Sequence, residues 1–169
     1  AFATHMGADH AVAVNSAGPG LDMAMKYLAL QPGDEVIVQA INFVAAPLAV
    51  MGAGGQVVWA EVDEKTLQLD PDDVERRITP RTRAILPVHM NGLASPLDDL
   101  FEVANRHPHP VHGPLVILGD AARAVGAEYK GRKLGPQGLG TVFSLHTVKN
   151  MCTLGEGGVI TTEDTGVAE

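Results

Sequence analysis

Short apolar runs along the chain alternate with stretches in which apolar residues recur every three or four positions. The runs at 11–15 (AVAVN), 35–39 (EVIVQ), 56–62, 83–89, 115–120, 141–146 and 157–162 predict strands. Between them, 20–30 carries Leu21, Met25 and Leu28 at helical spacing before QPGDE breaks the pattern. A second helix is predicted within 42–55, closing on the glycines at 52–55, with Pro47 making it begin late or bend. In DPDDVERRI, Asp70 reads as an N-cap, Pro71 as the first helical residue, and further acids fill the first turn. A fourth helix is predicted over 95–107, with Ser95 as its cap. The chain enters its first strand with no clear helix before it. It stops just after a strand, where a helix would be expected to continue. It therefore reads as a piece of a longer protein.

Strand–helix alternation with largely non-alternating apolar strands predicts an α/β fold on a mostly parallel sheet. Ligands on such sheets bind at the carboxyl ends of strands. That rule directs attention to Ser16, Asn42, Phe43, His89, Asp120, Ser144 and Lys149. The segment HPHPVHGP, 107–114, reads as a surface loop.

With 46% hydrophobic and 19% charged residues, the 169-residue chain is too apolar to be disordered, and it is long enough for one core. A formal net charge of −8 with no basic run argues against nucleic acid and anionic membrane as partners. The single cysteine, Cys152, leaves no intramolecular disulfide and no cysteine-built zinc site. No apolar stretch is long enough to span a bilayer, and the expected location is cytoplasmic. His107, His109 and His112 cluster in a proline-rich loop and read as solvated, so no metal is expected. Neither a G-x-G-x-x-G after the first strand nor a G-x-x-x-x-G-K-[ST] is present, which disfavours a generic nucleotide-binding domain.

Taken singly, the candidate chemistry is ordinary. Asp120 after a strand could be a helix cap, Lys149 a solvated loop lysine, Phe43 core, and Ser144 a polar strand end. The segment NSAGPGL, at a strand-to-helix turn, could present backbone N–H groups to an anion. A lysine amine and a carboxylate together are what pyridoxal phosphate needs: one to form a Schiff base, the other to keep the pyridine nitrogen protonated.

In order, GDEVIVQAINFVAAPLAV, ITPRTRAILPVHMNG, LGDAARAVGAEYKGRKLG and FSLHTVKNMCTLGEGGVITT resemble the DegT/DnrJ/EryC1/StrS family over nearly the whole chain. Those are pyridoxal-phosphate aminotransferases of the aspartate aminotransferase fold (fold type I), mostly acting on nucleotide-linked keto sugars. The resemblance implies a mostly parallel mixed sheet flanked by helices. Residues 1–169 would be an incomplete cofactor-binding large domain, lacking an N-terminal segment and a C-terminal small domain. It implies an amino-acid donor, often glutamate or glutamine, a keto substrate, and a homodimer when the protein is full length. It further implies that Lys149 holds pyridoxal 5'-phosphate and moves protons as base and acid, while Asp120 pairs with the ring nitrogen. Phe43 would cover the ring, Ser144 would contact the phosphate, and Ala17 and Gly18 would bind phosphate at a helix start. His89 matches a family histidine near the cofactor.

Two positions depart from the family pattern. SAGPGL replaces SGTAAL, so Gly18 lacks a hydroxyl and Pro19 lacks an N–H, although Pro19 suits the first helical position. DAAR replaces DAAQ, which puts the Arg123 cation where a neutral amide approaches the ring oxygen. There it would stabilise the phenolate, pair with a substrate acid, or turn away to solvent. Two other readings stay open: a sugar dehydratase, although relatives of that kind carry histidine in the lysine position, and a non-catalytic binding relative.

Overall fold

The computed structural model describes residues 1–169. Its elements run α1 (Phe2–Met6), β1 (His10–Val14), α2 (Ala17–Tyr27), β2 (Glu35–Gln39), α3 (Ala45–Gly52), β3 (Gln56–Ala60), α4 (Pro71–Arg77), β4 (Thr82–Leu86), α5 (Leu97–Arg106), β5 (Val116–Asp120), β6 (Glu128–Tyr129), β7 (Arg132–Lys133), β8 (Gly140–Ser144), β9 (Gly158–Thr162) and α6 (Thr165–Ala168). Seven strands form one sheet in the order β1-β9-β8-β5-β4-β2-β3. All pair in parallel except β9, which is antiparallel to both of its neighbours. The expected mostly parallel α/β sheet is therefore present.

Side chains on the central strands alternate between two cores. Val36, Val38, Leu86, Leu118, Val142 and Ile160 pack with Leu21 and Met25 of α2 and Val50 of α3 on one face. Ile37, Ile85 and Ile117 pack with Val74 of α4 and Leu100 and Val103 of α5 on the other. Each such side chain stabilises the fold by about 1.5–3 kcal/mol when fully buried. Because both faces are covered, β2 and β4 are buried along their whole length. That is why they read as continuous apolar runs.

The helix ends differ from expectation in instructive ways. Asp70 does cap α4, accepting the Asp72 N–H at 3.0 Å, with Pro71 first in the helix. Ser95 does not cap α5. It is fully buried, its hydroxyl shared between Val88 O and the Gln68 side chain, and the helix begins after Pro96. Helix α2 starts at Ala17, so Pro19 is its third residue rather than its first. The first turn makes no intrahelical N–H bond, so proline is tolerated there, as is Pro47 at the third position of α3. Helix α1 precedes β1, where none was expected. The β6–β7 hairpin was also not anticipated. Its turn is Lys130–Gly131, both at positive φ, the conformation a tight two-residue hairpin needs.

Two glycines let α2 lie against the sheet. A Cβ on Gly20 would sit 3.0 Å from Val142 Cγ1, and one on Gly158 only 2.6 Å from the Ser16 carbonyl carbon and 2.9 Å from Ala17 N. Gly158→Ala must therefore push the first turn of α2 off the sheet. We expect it to cost roughly 1–3 kcal/mol in a denaturant titration. Gly155→Ala should be near neutral in the same experiment, since its added Cβ would meet nothing within 4 Å.

Candidate active site

Because β1, β2, β5 and β8 are parallel, their carboxyl ends emerge at one edge of the sheet. Antiparallel β9 starts at that same edge, with Gly158 paired to both Val14 and Ser144. A cavity of about 380 Å³ opens there, within the size range of small-molecule sites. Its walls bring together residues from four separate parts of the sequence: Ala17 and Gly18, Phe43, Asp120 and Arg123, and Ser144 and Lys149. Neither of two further grooves, of about 330 and 560 Å³, joins a lysine to a buried carboxylate.

Asp120 is the last residue of β5 and is almost completely buried. Its Oδ1 accepts the Ala122 N–H at 3.0 Å, and Oδ2 is left to the cavity. Burial pushes its carboxyl above the ordinary range, against the opposing pull of the Ala122 N–H and of the Lys149 charge. Lys149 follows β8 in a turn closed by its own N–H donating to His146 O at 2.9 Å. Burial and then the Arg123 charge hold its amine below the usual lysine range, and Asp120 pulls the other way. The two groups thus feel each other across one cavity.

Helix α2 opens onto the same space. Ser16, its N-cap residue, is extended and makes no side-chain capping bond, so the Ala17 and Gly18 N–H groups stay available to an anion. Pro19 removes the third donor of the turn. The Ser144 hydroxyl lies at the end of β8 and accepts the His146 N–H at 3.4 Å. Phe43, in the connection after β2, is 72% exposed and stands at the mouth.

His89 is not brought to the cavity. Its ring is fully buried beneath the β4 end, Nδ1 accepts the Ser95 N–H at 3.1 Å, and Nε2 has no partner. Burial pushes it down to about 4, so it is neutral at physiological pH. Asn42 is also elsewhere, donating to Gln39 O at 2.6 Å. His146 and Glu156 line the cavity and escaped sequence reasoning as site residues. The short spacing of His146 from Lys149 was the available signal. In the 107–114 loop, His107 pairs with Glu75 at 2.6 Å, and no group of three metal-ligating side chains converges anywhere in the fold.

Comparison with known proteins places this geometry. The chain is 44% identical over 168 residues to the Streptomyces venezuelae dTDP-3-amino-3,4,6-trideoxy-alpha-D-glucose transaminase, covering 99% of this chain and 43% of that enzyme. It superposes on the crystal structure of S. venezuelae DesV with a TM-score of 0.91 at 43% identity, covering 99% of this chain and 43% of that one. It superposes on Streptococcus pneumoniae Spr1654 in its PLP form with a TM-score of 0.89 at 31% identity, covering 98% and 44%. The fold is thus that of the fold type I pyridoxal-phosphate enzymes, the aspartate aminotransferase fold. The chain belongs to the DegT/DnrJ/EryC1/StrS aminotransferase family, whose signature matches residues 1–169. It spans about two fifths of the length of the relatives it matches.

The raised carboxyl of Asp120 makes a prediction about stability. A carboxyl whose folded value lies above its unfolded value of 3.8 is stabilising when protonated, and that contribution is lost as pH rises through the window above 3.8. Asp120→Asn keeps an oxygen for the Ala122 N–H and carries no charge. Without cofactor, it should therefore be more stable than the parent at pH 7 by roughly 0.5–2 kcal/mol, the gap closing as pH falls through the carboxylate range. Urea midpoints at two pH values measure this.

Proposed function

We propose that this chain is the cofactor-binding part of a pyridoxal-phosphate aminotransferase that moves an amino group from an amino acid to a keto substrate. The carrying observation is one cavity that holds the Lys149 amine, the buried Asp120 carboxyl and the open first turn of α2. A nucleotide-linked keto sugar is the substrate class favoured by the dTDP-linked amino sugar in the transaminase relative's name.

The residues fit the cofactor. Asp120 is buried with a free oxygen and no cationic neighbour in contact, so a protonated pyridine nitrogen would supply the missing counter-charge. The Ala17 and Gly18 N–H groups and the Ser144 hydroxyl would take the phosphate. Phe43 would cover one ring face, and Arg123 would sit toward the ring's oxygen side. When bound, pyridoxal phosphate supplies an electron sink for charge left on a substrate carbon.

The chain's own groups do the rest. Asp120 keeps its partner nitrogen protonated through the cycle. Lys149, held below the ordinary lysine range, gives up and takes back a proton at the substrate carbon more readily than a solvated lysine would. Histidine does not occupy the 149 position, which favours transamination over dehydration. The low amine also weighs against a non-catalytic role.

We assign the active assembly as a homodimer. Exposed Phe43, Val44, Leu48 and Met51 form an apolar edge beside the cavity that a second copy would cover. No helix is long and apolar enough to cross a membrane. We assign a cytoplasmic location, which accords with a lone exposed cysteine. Residues 1–169 would be most of the large domain, with the small domain supplied by the remainder of the protein.

Two experiments test the reading. Lys149→Ala should abolish the visible absorbance of bound pyridoxal phosphate and lower amino-group transfer by about 10²–10⁴-fold. An unchanged absorbance band would overturn the assignment of Lys149. Arg123→Gln removes a positive charge that depresses the Lys149 amine, so the pH profile of pyridoxal-phosphate capture should move to higher pH. A shift to lower pH would show that Arg123 does not act on Lys149.

A further inference from the structure

The Lys149 turn is organised around one side chain. The His146 N–H donates to Ser144 Oγ at 3.4 Å, its carbonyl accepts the Lys149 N–H at 2.9 Å, and its ring Nδ1 accepts the Val148 N–H at 3.2 Å. An N–H donor at Nδ1 requires that nitrogen to carry a lone pair, so a neutral ring bears its proton on Nε2. Nε2 lies 3.3 Å from the Glu156 carboxylate across the loop. Glu156 comes from the segment leading into β9, so the contact ties the lysine turn to the opposite side of the loop. The backbone repeats the tie, with Leu145 N–H donating to Gly157 O at 2.7 Å and Thr147 N–H to Gly155 O at 3.1 Å. His146 and Glu156 both line the cavity. Val148 is 68% exposed, and its N–H is held by the Nδ1 bond next to the lysine.

We propose that His146 is the positioning residue of Lys149, its ring Nδ1 and carbonyl gathering the two amides that set the lysine's direction. Lys149's own role rests on the function proposed above. The geometric claim about the turn does not.

Two half-mimics separate the contacts. Asn at 146 places an oxygen where Nδ1 stands and can make the same short-range bond, as asparagine does in Asx-turns, but cannot reach Glu156. Gln at 146 reaches Glu156 but offers nothing at the Nδ1 position. Amide hydrogen exchange, read by NMR on the full-length protein without cofactor, should show Val148 protection kept in His146→Asn. In His146→Gln it should drop by about tenfold, the size expected for losing one net hydrogen bond. Protection of the β2 amides, unchanged in both, controls for global unfolding. Lys149 capture of pyridoxal phosphate should be slowed by His146→Gln and largely rescued by His146→Asn. Equal Val148 protection in parent and Gln variant would overturn the proposal, and so would equal loss in both variants. Lys149→Ala failing to abolish the cofactor band would sink the functional reading alone and leave the exchange result standing.

Discussion

A charged carboxyl is among the least favourable groups to bury, yet Asp120 sits almost without solvent at the end of a central strand. Only one of its oxygens is held, by a backbone N–H. The fold tolerates this because the strand is fixed on both sides. The Asp120 N–H donates to Pro87 O, its carbonyl accepts the His89 N–H, and the Ala121 N–H bonds Val142 O beyond it. The ladder fixes where the side chain leaves the backbone, and the Ala122 N–H holds one of its oxygens. A group held at such cost, facing an open cavity with no cation in contact with it, is poised to pair with a cation placed in the cavity. Ala17, Gly18, Phe43, Ser144 and Lys149 are arranged around that fixed point.

The arrangement follows from strand direction. A parallel sheet delivers strand ends, and the backbone groups just beyond them, to one edge. Residues more than a hundred positions apart in sequence, such as Ala17 and Lys149, meet there without any long excursion of the chain. Gln39 ties the same edge together. It is fully buried, its Oε1 accepting the Val88 N–H while its amide donates to Ile41 O and Leu67 O. The connection that carries Phe43 is thereby braced against the ends of β2 and β4. Electrostatics then divide the cavity. Arg123 and Lys149 line it as cations, Asp120 lies at depth, and Glu156 lies 3.3 Å from His146 Nε2.

Much of this was legible in the sequence. The central strands were, because burial on both faces leaves an unbroken apolar run. So was α4, because Asp70 and Pro71 act locally and need nothing from the rest of the fold. Ser95 misled because a hydroxyl before a helix looks the same whether it caps or is buried. What decided was the need of the Val88 carbonyl for a donor, a contact invisible in a linear pattern. His89 misled for a related reason. It follows a strand as site residues do, but its ring turns into the core, against Gly119, and away from the cavity. The site residues missed, His146 and Glu156, are brought together by β9 reversing direction, and no local signal announces that reversal.

That reversal has one more effect. Ser144 and Gly158 are direct partners across β8 and β9, so the stretch 145–157 leaves and returns at adjacent points, in the manner of an Ω-loop. Such a cassette can open, lengthen or be exchanged without disturbing the ladder beneath it. The Lys149 amine rides on that loop, while the Asp120 carboxyl is built into the sheet. Variation within the cassette would therefore move the amine relative to the cavity, and the carboxyl anchored in the sheet would stay put.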